Sequence, residues 1–307
     1  MDKKLKPGLA WLLFLLLALT WGSSFIIMKR ALGSFDYLQI GLIRIATAWI
    51  FTLLIAFPRF KNFRQPYLMP LIGVGLFGNA IPYLLFPFAI RYLDSSLVGI
   101  LNSMVPLFTL VIGIIWFGTK VRWPGITGIT LGFIGAVWLL MPDVKIDTAN
   151  LFYGIFPILA TVCYAISINV INARLQNLSA IGITLMSLSA VGPGCLLALL
   201  DTDFLTIMQE DPAAWRNFGL LSILGVVGSS LAILVFNILI KQTSSLFAAS
   251  VTYVIPVVAL LWGLYDGETI GIMHLFGMLI IIAGVYLVNF GRQSRQNKKR
   301  MHKQDHN

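Results

Sequence analysis

Residues 67–90, YLMPLIGVGLFGNAIPYLLFPFAI, and residues 217–240, NFGLLSILGVVGSSLAILVFNILI, are each 24 residues long and carry no charged side chain. Either stretch can cross a bilayer as a helix, which takes about twenty apolar residues. The two also align with each other at an offset of 150, which puts Gly75 and Gly78 on Gly225 and Gly228, Asn79 on Ser229, and Phe86 on Phe236. One stretch predicts a membrane helix, and the pair predicts an internal repeat.

The register extends outward from these helices. At the same offset Arg91 meets Lys241 and Pro106 meets Pro256. At 149, Ser95-Ser96-Leu97 meets Ser244-Ser245-Leu246, Gly118 meets Gly267, and Gly128 with Gly135 meets Gly277 with Gly284. At 143, Trp21 meets Tyr164 and Ser24 meets Ser167. Chance identity among Gly, Leu and Ile is common in membrane sequences, so the order of the matches and the paired prolines carry the weight.

Composition agrees. Of 307 residues 58% are hydrophobic and 11% charged, with a mean hydropathy of +0.87, whereas soluble domains carry roughly 25% charged residues. So little charge cannot cover a water-soluble surface, which also excludes disorder and a coiled coil. Both cysteines, Cys163 and Cys195, lie in apolar stretches, which excludes a disulfide scaffold.

Reading between charges gives ten spans, at 8–28, 37–57, 67–90, 95–117, 123–141, 151–172, 180–200, 217–240, 246–265 and 272–291. Their length and the lack of apolar/polar alternation predict helices rather than a barrel. The first run is read as a span rather than a cleaved signal, because it is long enough to cross and lacks an A-x-A site. With the N-terminus inside, 16 basic residues fall on the cytoplasmic side: Lys3, Lys4, Lys6, Arg59, Lys61, Arg64, Lys120, Arg122, Arg174, Lys241, Arg292, Arg295, Lys298, Lys299, Arg300 and Lys303. Only 5 fall outside, namely Lys29, Arg30, Arg91, Lys145 and Arg216. The excess predicts a multi-pass protein of the cytoplasmic (inner) membrane with both termini cytoplasmic. Of the basic residues behind the net charge of +10, six lie in the polar tail, which reads as a topology signal at lipid head groups rather than a nucleic-acid arm.

The expected fold class is therefore an all-α integral membrane protein of ten transmembrane helices in two five-helix repeats. Residues 1–145 form the first, 146–291 the second, and 292–307 a basic cytoplasmic tail. Five is odd, so the second repeat enters the membrane from the opposite side. Such an inverted repeat gives two conformations of similar energy with a substrate site between the halves.

The residues also carry a family resemblance. Trp21-Gly22-Ser23-Ser24-Phe25 followed by Lys29, Arg44 in span two, the segments running from Ser-Ser-Leu to Pro106 and Pro256, and Gly267-Glu268 after span nine resemble EamA-type permeases of the drug/metabolite transporter superfamily. The resemblance runs over roughly 8–291. It implies a ten-helix transporter of small metabolites, often an exporter of amino acids or related compounds. One position departs: the family's Glu near the end of the fourth span is Thr119 here, while Glu268 remains.

Candidate substrate-binding residues are Trp21, Asn79, Tyr83, Asn102, Tyr164, Ser229 and Tyr253. Asn79, Tyr83 and Phe86 share one face of span three, and Ser229 is the polar counterpart of Asn79. Asn102 and Tyr253 lie just before Pro106 and Pro256, whose missing N–H frees a carbonyl and permits bending. Trp21 and Tyr164 lie too deep for the interfacial aromatic belt. Arg44, Pro106, Pro256 and Glu268 are assigned structural or gating roles. Arg44, the one charge deep in a span, is expected to snorkel, to pair with Glu268, or to meet a helix-end carbonyl. The glycine rows of spans five and ten read as close packing, either between the halves or between two copies in a homodimer.

A membrane enzyme needs convergent acids, histidines or a metal. The three histidines are His274, His302 and His306, no acid lies deep in a span, and no P-loop lysine is present for an ATP-driven pump. No cofactor or metal is expected; the partners are a small-molecule substrate and membrane lipids. A lipid-binding or scaffold protein without transport is the competing reading, against which the inverted repeat argues.

Overall fold

The computed structural model describes residues 5–62, 65–93, 95–140, 151–265 and 271–304. Among them helix is the only regular structure. Seven helices are long and apolar enough to cross a membrane: Pro7–Ala31, Tyr37–Phe60, Gln65–Ile90, Val98–Ile115, Phe152–Arg174, Ala180–Leu200 and Ala214–Gln242. Three shorter apolar helices, Trp123–Leu139, Ser245–Val258 and Ile272–Val288, lie where spans five, nine and ten are expected. Large apolar side chains point outward, Leu54 at 76%, Met69 at 74% and Trp123 at 78% exposure, an arrangement that lipid tolerates and water does not.

Local chemistry sets the ends. Span two begins at a capping box in which the Asp36 carboxylate accepts from Gln39 N–H (2.7 Å) and the Gln39 side chain accepts from Asp36 N–H (3.0 Å). Span seven begins at Ser179, whose hydroxyl accepts from Gly182 N–H at 3.2 Å, and 179 is 36 displaced by the offset that also relates Trp21 to Tyr164. Span four ends at Gly118, where φ is +60°. That left-handed turn, cheap only for glycine, lets Thr119 N–H reach back to the Gly113 carbonyl at 2.8 Å. Beyond span ten the backbone stays helical to Gln304, since Lys, Arg and Gln are good helix formers and no proline follows.

Several spans are interrupted. Span one runs Pro7–Gly22 and Ser24–Ala31, broken at Ser23. Span four runs Ser95–Asn102 and Val105–Ile115, so Pro106 stands in the first turn of a new helix rather than at a bend within one. Span nine runs Ser245–Ala249 and Val251–Tyr265, with Pro256 inside the second piece. Spans three and eight each contain a π-helical stretch, Leu76–Ala80 and Leu224–Leu231. Pro82 withholds an N–H just after the first, but position 232 is alanine, so proline is not the shared cause. The glycine pairs are shared: a Cβ at Gly75 would collide with the Ser187 carbonyl oxygen, and one at Gly225 would lie 2.9 Å from the Arg44 carbonyl oxygen.

The packing has a regular plan. Span two packs on span seven, and span five on span ten. Spans three and four pack on span six, and spans eight and nine on span one. Span two meets the π stretch of span eight, and span seven meets the start of span three. The glycine rows of spans five and ten face each other within the chain. A Cβ on Gly128 would stand 2.7 Å from the Gly284 carbonyl oxygen, and one on Gly135 2.7 Å from the Ile281 nitrogen. These rows serve packing between the halves.

Candidate functional site

The spans enclose a central cavity of about 860 Å³ of empty space, mouth included. Its lining repeats the register of the sequence. Trp21 and Tyr164, Ser24 and Ser167, and Met28 and Ile171 line it as pairs from spans one and six. Spans three and eight contribute Tyr83 with Ile233 and Phe86 with Phe236; spans four and nine contribute Asn102 with Thr252 and Val105 with Ile255. Ring contacts cross over in the same way: Trp21 meets Phe236 edge-on at 5.2 Å, and Tyr164 stacks on Phe86 at 5.9 Å.

Three polar residues break the pairing. Arg44 lines the cavity while its counterpart Ser187 does not, and Asn79 and Asn237 line it while Ser229 and Pro87 do not. Arg44 is 7% exposed. Its Nε donates to Ser229 Oγ at 2.7 Å, one terminal nitrogen stands 3.4 Å from the Gly228 carbonyl, and the other 3.9 Å from Met28 Sδ. The guanidinium carbon lies 3.9 Å from the centre of the Tyr83 ring, a cation–π contact. Among the described residues no carboxylate pairs with Arg44, and Glu268 lies outside them. Of the three roles expected for Arg44, the contact with a carbonyl is seen, although the carbonyl belongs to a π stretch rather than a helix end.

That stretch serves two donors, because the Gly228 carbonyl also accepts from Trp21 Nε1 at 3.0 Å. Asn79 donates from Nδ2 to the Val74 carbonyl at 3.3 Å, and Asn237 from Nδ2 to Thr184 Oγ1 at 2.9 Å. Both Oδ1 atoms are buried without a partner. Among the described residues the Asn102 amide has none either.

The remaining expected residues stand apart from the cavity. Ser229 is fully buried behind it and holds the Arg44 side chain. Tyr253 is fully buried, its hydroxyl donating to the Ile129 carbonyl at 2.8 Å and its ring filling the notch at Gly132. It joins span nine to span five, and its neighbour Thr252 reaches the cavity. Pro106 and Pro256 shape spans four and nine without lining it. Ser24, Ser167, Met28, Asn237 and Thr252 are lining residues absent from the expected set. Ser24 and Ser167 were legible as a matched pair, and Thr252 as the counterpart of Asn102. Asn237 was hidden because its counterpart is a proline. Among the described residues no three His, Cys, Asp or Glu side chains cluster to hold a metal.

Comparison with known proteins agrees with this architecture. The inner membrane transporter YedA of Escherichia coli (strain K12) is 25% identical over 284 residues, covering 90% of this chain and 89% of its own. Protein PagO of Salmonella typhimurium (strain LT2) is 24% identical over 290 residues, 92% of this chain and 93% of its own. A transporter of Archaeoglobus fulgidus is 22% identical over 280 residues, 91% of this chain and 98% of its own. A crystal structure 14% identical in sequence shares the fold, with a TM-score of 0.69 over 94% of this chain and 99% of that one. The EamA-like transporter family matches twice in succession, over residues 8–141 and 151–290. Two matches that leave little outside them but the basic tail make this chain a member of the EamA-like transporter family.

Proposed function

We propose that this transporter moves a small organic metabolite, of the class of amino acids and related compounds, out across the inner membrane by alternating access. The observation that carries the reading is the paired lining of the cavity. Residues from equivalent spans of the two halves line it in matched pairs, and the helix pairings map onto themselves when spans one to five are exchanged for six to ten. Ten spans in two inverted repeats account for that exchange, since two like halves of opposite orientation have two arrangements of similar energy, one open to each side. Both termini are then cytoplasmic. One chain encloses the cavity, so one chain is the transporting unit, whether or not two chains pair in the membrane.

The test has two stages. Extracellular metabolites are compared in cells with and without the chain, and an accumulating compound is then followed in vesicles reconstituted with purified protein. A single cysteine at Asn102, in a background lacking Cys163 and Cys195, should react with an impermeant thiol reagent from either face and be protected by that compound. Reaction from one face only, under every condition, would overturn alternating access.

A further inference from the structure

We infer that the cavity takes its substrate by a carboxylate seated against the Arg44 guanidinium, with hydrogen-bond donors on the same molecule received by the side-chain oxygens of Asn79 and Asn237. The inference rests on the transport reading and deepens it. Its first support is an uncompensated charge. A guanidinium presents five N–H donors, and Arg44 has one short bond, to Ser229, two long contacts and a ring face. All these partners are neutral. A buried cation costs free energy that neutral contacts offset only in part. A carboxylate can accept from the remaining N–H of each terminal nitrogen through charge-assisted bonds, which a neutral oxygen cannot match.

The repeat supplies an internal control for a merely structural role. At the position equivalent to Arg44, span seven has Ser187, fully buried and bonded back to the Thr184 carbonyl at 3.2 Å. Span seven packs against span three as span two packs against span eight, and it does so with no cation there. Helix packing therefore does not demand the charge.

The two asparagines are fixed in orientation by their partners. The Val74 carbonyl can only accept, so Asn79 must turn its NH₂ toward it. Thr184 Oγ1 gives its own hydrogen to the Ala180 carbonyl at 3.0 Å, so it accepts from Asn237. In both residues, each 1% exposed, Oδ1 is left as a buried acceptor without a donor, and both residues contribute to the cavity wall. Buried acceptors are normally satisfied, and here an N–H or O–H of a bound molecule would do it. Between these polar points the walls are Trp21, Tyr83, Phe86, Tyr164 and Phe236, which suits an apolar or aromatic body.

The test uses purified full-length protein and four probes of one shape: phenylalanine, 3-phenylpropanoate, 3-phenylpropanamide and phenethylamine. Binding is read as thermal stabilisation and as quenching of tryptophan fluorescence. Both carboxylates should bind at millimolar concentration or below, phenylalanine the more tightly of the two because its ammonium meets the asparagine oxygens. The amide and the amine should bind at least about tenfold more weakly, the loss expected for a charge-assisted pair. Arg44→Gln should abolish the advantage of the carboxylates, and Arg44→Lys should keep part of it. Equal binding by all four probes, preference for the amine, or no binding by either carboxylate would overturn the inference. The ranking on the unmodified protein needs no variant, so it stands if Arg44→Gln fails to fold. Carboxylate binding without exchange in vesicles would overturn transport and leave this inference standing. Transport of an uncharged compound with no carboxylate binding would do the reverse.

Discussion

Tyr253 and Asn102 show how one helical position decides what a polar side chain does. Tyr253 spends its hydroxyl on the Ile129 carbonyl and its ring on Gly132, whereas Asn102 turns an unpartnered amide to the cavity. Tyr253→Phe should therefore lower stability by about 1 kcal/mol, the net worth of one buried hydrogen bond, and leave substrate preference alone. Asn102→Ala should change preference with the melting temperature nearly unchanged. Measuring both properties in both variants checks the assignment, and an altered preference in Tyr253→Phe would refute it. Outside the membrane, Asp211 gives a pH-dependent counterpart. Hydrogen bonds from Ser34 and from Ala213 N–H (2.8 Å) hold its carboxyl below the usual carboxylate range. A depressed carboxyl contributes stability at neutral pH that is lost as the pH falls through its folded value. Labelling of a cysteine placed at Gly33, taken relative to an exposed reference cysteine because the thiolate itself declines with pH, should thus rise on acidification, and Asp211→Asn should remove that rise. The sequence announced Trp21, Tyr83, Tyr164 and Asn102 by depth and register. It could not announce that Tyr253 faces span five, because the notch that receives its ring is a glycine on another helix.

At the scale of the element, spans three and eight carry the matched π stretches, and glycine is what they share. Gly75 touches Ser187 of span seven, and Gly225 touches Thr47 and Arg44 of span two, so each half presses one wide-turned helix onto the other half. A π turn exposes carbonyls that an α ladder would engage, and the Gly228 carbonyl uses that freedom to hold both Trp21 and Arg44. Gly75→Ala and Gly225→Ala should each cost roughly 1–3 kcal/mol through overpacking. Gly73→Ala, in the same helix but with nothing within 4 Å of its Cβ, should be neutral or stabilising, since alanine is the better helix former. Yield and melting temperature of the three proteins separate close approach from a general need for glycine; equal losses would discard the close-approach account. Reading between charges placed apolar segments where the structure has seven helices long enough to cross a membrane and three shorter apolar ones, and the N-caps at Asp36 and Ser179 start spans two and seven where hydropathy places them. The breaks and the π stretches were not legible, because a wide turn leaves no change in apolar composition. It arises where another helix arrives.

For the whole molecule, the distribution of charge bears on what drives movement. Proton-coupled transporters usually place an Asp, Glu or His within the membrane, where protonation can alternate with substrate binding. Here Asp266, Glu268 and His274 all fall at the ends of spans nine and ten. The His274 Nδ1 accepts from Gly271 N–H at 2.9 Å, a capping role at the start of span ten. The one deep charge is Arg44, a guanidinium rather than a carboxylate or an imidazole. The position where the family's first-half Glu is expected is Thr119, part of a helix end closed by Gly118. A cavity whose fixed cation is balanced by the substrate has a further consequence. Empty, it carries an exposed charge through the closed intermediate; loaded with a carboxylate, it carries a neutral pair, which crosses the low-dielectric centre at far lower cost. That asymmetry favours one-for-one exchange over net flux. In vesicles loaded with substrate, labelled substrate outside should therefore enter rapidly without a pH or sodium gradient, and net uptake into empty vesicles should be much slower. Uphill accumulation driven by an imposed proton gradient, and abolished by Glu268→Gln, would contradict the prediction and move the coupling site from the centre of the cavity to its edge.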